Sequence, residues 1–246
     1  MRLLLLADQW VGSEITKWLL QNYPEDLALV VAKSDGLASA AARDAKVPVA
    51  IFESDVQLLT ELAKVEPIDL GVLAWWPSVI SDALMHVPRA GFINTHPSLL
   101  PFNRGKHYNF WAIVEQAPFG VTLHMVTSAL DAGDIVAQRA IPYGWEDTGQ
   151  SLYEKASTAM VRLFQDTYPM LRGLEFPRRP QPDGGTEPHR SAELDPASHL
   201  ELDRSYTARE LLNLLRARTF PPHPAAWFTD EGATYEVRVV ITHRDP

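Results

Sequence analysis

"LLLLADQWVGSEITKWLLQNYPEDLALVV", residues 3–31, holds the pattern on which the fold turns. Leu3 to Ala7 is a short, continuous apolar run, as a strand buried on both faces requires. From Val11 to Leu20 the residues Val11, Ile15, Trp18 and Leu19 fall on one helical face, and Leu27 to Val31 is a second buried strand. Strand, helix, strand is a βαβ unit, and such units build a parallel sheet with both faces covered.

The alternation continues outward from this unit. Leu37 to Ala45 reads as a helix, Val47 to Phe52 as a strand, Asp55 to Val65 as a helix, Asp69 to Trp75 as a strand and Ser81 to Met85 as a helical turn. Gly91 to Thr95 is then a strand that runs into "GFINTHPSLLPFNRGKHYNFW", residues 91–111. A helix over His107 to Gln116 follows, then strands at Gly120 to Val126 and Ile135 to Ile141. Residues 149–172 carry Leu152, Ala156, Met160, Leu163, Phe164 and Leu171 on one helical face.

Beyond this helix the composition shifts. Residues 175–200 are rich in Pro, Gly and charge, without period, and read as a linker or a strap over the surface. Thr207 with Glu210 three residues on opens a helix over 207–218 by a capping box. The tail alternates at Tyr235, Val237 and Val239 and predicts a hairpin turning at Asp230 to Ala233. The expected division is a main domain over 1–174, a linker over 175–200 and a small helix-plus-hairpin extension over 201–246.

A net charge of −9 opposes nucleic-acid binding, which needs clustered Lys and Arg, and no apolar run is long enough for a membrane span. The opening residues have neither the length nor the cleavage site of a signal peptide, so a cytoplasmic protein is expected. With no Cys, thiolate chemistry is out, and the first strand-to-helix turn, ADQWVGSE, is not a GxGxxG, so no NAD is expected.

Asn94 and His96 lie two apart on a strand and therefore point the same way. An amide donor beside an imidazole suits acyl transfer, where one stabilises an oxyanion and the other moves protons. Asp131 in LDAGD offers a carboxylate to hold the imidazole. Taken singly, each is an ordinary turn former or solvated side chain.

As an ordered set, INTHPSLLP, NRG, GVTLHMV, LDAGDIV and DTGQSLYEK resemble the catalytic core of the folate-dependent formyltransferases. The resemblance covers about residues 69–172 and implies a Rossmann-like α/β fold: a mostly parallel twisted sheet with a small C-terminal α+β extension. It implies Asn94, His96 and Asp131 as catalytic residues, with Asn94 and protonated His96 facing the oxyanion and Asp131 favouring the His charge. It implies N10-formyltetrahydrofolate as co-substrate, no metal, and a pterin site formed by Trp75, Trp76, Ser78, Ile80, Ala129, Leu130 and Asp134. His107 and His124 fall near the family's pocket as supporting rather than catalytic groups.

Three acceptor amines compete: methionyl-tRNA, glycinamide ribonucleotide, and a nucleotide-linked amino sugar; a formyltetrahydrofolate hydrolase would use water. NRGKHYNFW and the compact extension with RARTFPP resemble the members that formylate dTDP-, UDP- or GDP-amino sugars. That reading makes Arg104, Gly105, Lys106 and Tyr108 substrate-binding candidates, with Arg216 and Arg218 as further cations for a diphosphate. Trp111, Phe220 and Trp227 are candidate surfaces for a base. The family likeness also implies a homodimer through the C-terminal region.

Overall fold

The computed structural model describes residues 1–65 and 67–244. In chain order its elements are β1 (Leu3–Ala7), α1 (Gln9–Asn22), β2 (Leu27–Ala32), α2 (Leu37–Asp44), β3 (Val49–Ile51), α3 (Asp55–Leu62), β4 (Leu70–Ala74), α4 (Asp82–Met85) and β5 (Phe92–His96). Then come α5 (Tyr108–Val114), β6 (Gly120–Met125), β7 (Ile135–Ala140), α6 (Gly149–Arg172), α7 (Leu194–Ala197), α8 (Ala208–Ala217), β8 (Ala226–Asp230) and β9 (Ala233–Val237). Among the described residues no helix is long and apolar enough to cross a membrane.

Two compact units form: residues 1–96, 121–139 and 157–181 make the first, and 97–120, 140–156 and 182–246 the second. The first unit is built on a seven-stranded sheet in the order β3-β2-β1-β4-β5-β6-β7. β1 lies inside this sheet with every residue buried, as its unbroken Leu run requires. From β3 to β5 the pairs are parallel, whereas β5 and β6 are antiparallel. Simple alternation predicts a parallel pair there too. The connection from β5 to β6 belongs to the second unit.

The apolar face read along residues 149–172 is the buried face of α6. Near its end Tyr168 donates to Asp26 at 3.0 Å and Arg172 Nε to the same carboxylate at 2.7 Å, which pins α6 to the turn before β2. Burial, first, and then the Asp26 carboxylate push the Tyr168 phenol far above its usual pKa.

The expected strap is braced by hydrogen bonds rather than loose. In the first unit Arg179 exchanges two backbone hydrogen bonds with Ile135, of 2.7 and 3.0 Å. In the second, His189 receives Lys106 N–H and donates its own N–H to Arg104 O, and residues 191–197 wind into a 3-10 turn and α7, which the aperiodic sequence conceals. The capping box at Thr207 and Glu210 opens α8, and β8 pairs with β9 as the expected hairpin.

Candidate active site

β5 carries Asn94 and His96 to the end of the sheet, and Thr95 between them points away. The Thr95 hydroxyl accepts Trp75 N–H at 2.8 Å and donates to Leu73 O at 3.0 Å, tying β5 to the loop after β4. Trp75 itself has φ +57, a left-handed conformation that is uncommon for a bulky residue.

Asp131 arrives from the loop between β6 and β7. Its Oδ1 lies 3.4 Å from His96 Nδ1 and 3.5 Å from Asn94 Nδ2. Two features hold the loop. Gln181 donates to Asp131 O at 2.7 Å and Gly133 O at 2.9 Å, and Met125 N–H donates to Asp134 O at 2.8 Å. Gly133 allows this close approach, because a Cβ there would lie 1.9 Å from Met125 O.

A fourth side chain joins the three expected ones. His124 sits on β6 directly opposite Asn94, and its Nε2 lies 3.2 Å from Asn94 Nδ2. Its other nitrogen, Nδ1, lies 2.8 Å from Met125 O, and only a protonated nitrogen can donate to a carbonyl. In the tautomer that carries its proton on Nδ1, Nε2 presents a lone pair that accepts from the Asn94 amide. This fixes which way the amide faces. The 3.6 Å approach of His124 Nε2 to Asp131 Oδ1 is then a contact of two acceptors, bridged by Asn94 rather than bonded. The sequence signal was GVTLHMV, where His124 alternates with Thr122 on a buried strand, but register across β5 and β6 cannot be read from one strand.

His96, His124 and Asp131 place potential metal-ligand atoms within 4.8 Å of one another. The amide nitrogen of Asn94 lies against both the His124 lone pair and the carboxylate, where a cation would have to sit. The set is better matched to hydrogen-bond chemistry than to ligation.

The other predicted residues divide between the units. In the first, Trp76 and Ile80 belong to the hydrophobic core, Ser78 is half-buried, Ala129 and Leu130 are exposed, and Asp134 is half-buried. Trp76 packs edge-on against Phe52, and Lys33 Nζ stands 4.1 Å over Phe52 and 4.8 Å over Trp76. In the second unit, Gly105 has φ +86 and faces His189 O, where a Cβ would come within 2.2 Å. Tyr108 stacks on Phe119 with centroids 6.3 Å apart. Its phenol is held well above the usual pKa by burial and then by Tyr153.

Residues 8–167 match the family model described as formyl transferase, which is more than half of the chain. The chain belongs to the formyl transferase family. Residues 193–243 of this formyl transferase family member match a second model, the N-formyltransferase dimerization C-terminal domain. Its sequence is similar to the methionyl-tRNA formyltransferase of Janthinobacterium sp. (strain Marseille), at 31% identity over 70% of this chain and 52% of that protein. The chain thus spans about half the length of this curated relative.

Among solved structures, it resembles a sugar N-formyltransferase from Shewanella sp. FDAARGOS_354, with TM-score 0.82, 20% identity and coverage of 100% of this chain and 99% of that one. It also resembles the Helicobacter canadensis N-formyltransferase in complex with folinic acid and dTDP-3-aminofucose, with TM-score 0.74, 16% identity and coverage of 94% and 85%. At these identities the likeness is one of fold, and it agrees with the Rossmann-like architecture and C-terminal extension read from the sequence.

Proposed function

We propose that this formyl transferase moves the formyl group of N10-formyltetrahydrofolate to the primary amine of a nucleotide-linked amino sugar. The observation that carries the chemistry is the convergence of Asn94, His96 and Asp131 within 3.5 Å contacts on one strand end and one loop. Bound N10-formyltetrahydrofolate supplies a formyl carbon on a good leaving nitrogen, and tetrahydrofolate departs as the new formamide bond forms.

The residues divide the work. One Asn94 N–H is committed to His124; the other, whose contact with Asp131 is long at 3.5 Å, is the donor left for charge developing on the formyl oxygen. Asp131 favours the charged form of His96, which then serves as a second electrostatic partner and a proton carrier. Trp75, Trp76, Ser78, Ile80, Ala129, Leu130 and Asp134 would hold the pterin. The site suits such a ligand: Trp76 Nε1 is a buried donor with no partner among the described residues, and the Lys33 ammonium stands 4.8 Å over the Trp76 ring.

For the acceptor, resemblance over whole chain length to a structure described as a sugar N-formyltransferase supports an amino sugar. The 31% identical methionyl-tRNA relative favours a second reading, tRNA, which a net charge of −9 opposes. Tetrahydrofolate release is the test, measured without acceptor, with glycinamide ribonucleotide, with methionyl-tRNA, and with dTDP-, UDP- and GDP-amino sugars. Release that needs one amino sugar is expected; release with water alone or with either other amine would sink the sugar reading.

The C-terminal region would pair two copies. Its model is that of a dimerization domain, and β9 is an edge strand with Tyr235 half-exposed and stacked on Phe228 at 5.2 Å. Sedimentation velocity is expected to give twice the chain mass, with Tyr235→Arg shifting the protein toward monomer; a monomeric wild type would contradict the pairing.

A further inference from the structure

Arg218 is the residue that closes α8, and it is only 8% exposed. Its guanidinium has no hydrogen bond or ion pair with any described residue, and its Nε is buried. An unpartnered buried cation is costly and calls for an anion. The acids in electrostatic reach are engaged elsewhere: Asp195 accepts Trp227 Nε1 at 3.2 Å, and Glu236 pairs with Arg238 at 2.9 Å. Burial, first, pushes the Arg218 pKa down, Arg238 adds to this, and the two carboxylates oppose it.

A second group marks the same place. His107 precedes α5 with φ +59, and its imidazole is held below the usual pKa by burial, then by Arg218, then by Lys106. α5 packs on α8, and the ends of both are fixed: Asn109 donates to Gly149 O at 2.8 Å and Gln150 N–H to Thr219 O at 3.3 Å. All of these residues belong to the second unit.

We infer that Arg218, with His107 and Lys106, grips the diphosphate of the nucleotide-linked substrate. This rests on the nucleotide-sugar reading above. A diphosphate supplies the counter-charge that Arg218 lacks, and its oxygens match the planar fork of a guanidinium. Its arrival also reverses the field at His107, so the imidazole takes up a proton as the anion binds.

The test needs no acceptor amine. Calorimetry with inorganic pyrophosphate, dTDP, UDP and uridine is combined with NMR titration of the His107 ring. Pyrophosphate and both nucleoside diphosphates are expected to bind and to raise the His107 pKa, while uridine leaves it unmoved. Arg218→Gln should weaken the diphosphates by about 10- to 100-fold, and Arg218→Lys by less.

The His107 shift is read in the wild type, so a poorly folded variant does not blunt the test. A His107 titration unmoved by bound dTDP or UDP, or wild-type affinity in Arg218→Gln, overturns the assignment and leaves the amino-sugar reading intact. Failure of the wild type to bind any diphosphate overturns it as well, and formyl transfer to amino sugars then judges that reading separately.

Discussion

His96→Asn is expected to lower kcat/KM for formyl transfer by about 10²- to 10⁴-fold, the range of a lost general acid or base with its electrostatic help. His96 is 4% exposed, and its Nδ1 lies 3.4 Å from the carboxylate of Asp131. Asn retains a polar side chain of smaller size but cannot carry a positive charge or hand on a proton. On the proposed mechanism His96 acts where charge develops rather than where ligands dock, so the loss should fall on kcat. Tetrahydrofolate release under saturating substrates, with folate affinity measured separately by calorimetry, separates the two terms. Activity within tenfold of wild type would remove His96 from the chemistry, and a loss confined to KM would make it a binding residue.

What could be read from the sequence is what depends on short-range pattern. β1 is apolar at every position because it is covered on both faces, and α6 shows a helical stripe because one face is buried, so each announces itself. Asn94 and His96 are two apart on one strand, and their common direction follows from strand geometry alone. Asp131 is different: its place beside them came from family resemblance, since a loop residue thirty-odd positions away carries no local sign of where it folds back.

His124 and Gln181 were harder still. His124 joins this arrangement only because β6 runs antiparallel to β5 in the register that sets it opposite Asn94. Gln181 lies in a Pro-rich tract that looks like a linker, yet its amide holds two carbonyls of the Asp131 loop. Both roles come from long-range pairing. A one-residue slip in register would turn His124 to the other face of the sheet and leave its sequence unchanged.

The loop that presents Asp131 yields the second large effect. Gly133→Ala should lower formyl transfer by about 10²-fold, the scale of a 1 Å misplacement of a reacting group. A Cβ at Gly133 would stand 1.9 Å from Met125 O and 2.8 Å from the Met125 carbonyl carbon, and neither can rotate away as a side chain would. The loop must therefore lift off β6, straining the Met125 N–H to Asp134 O bond and the Gln181 bonds to Asp131 and Gly133. Overpacking of this kind costs about 1–3 kcal/mol, so a modest fall in thermal stability should accompany the loss.

Stability alone does not identify the cause, so the deciding comparison is a double-mutant cycle with Asp131→Asn. If Gly133→Ala acts by displacing the Asp131 carboxylate, the double variant should lose little more activity than Asp131→Asn alone. Additive losses would mean that Gly133→Ala damages the enzyme by another route. Full activity in the single variant would mean that the loop tolerates the move and that Asp131 need not sit 3.4 Å from His96 for transfer to proceed.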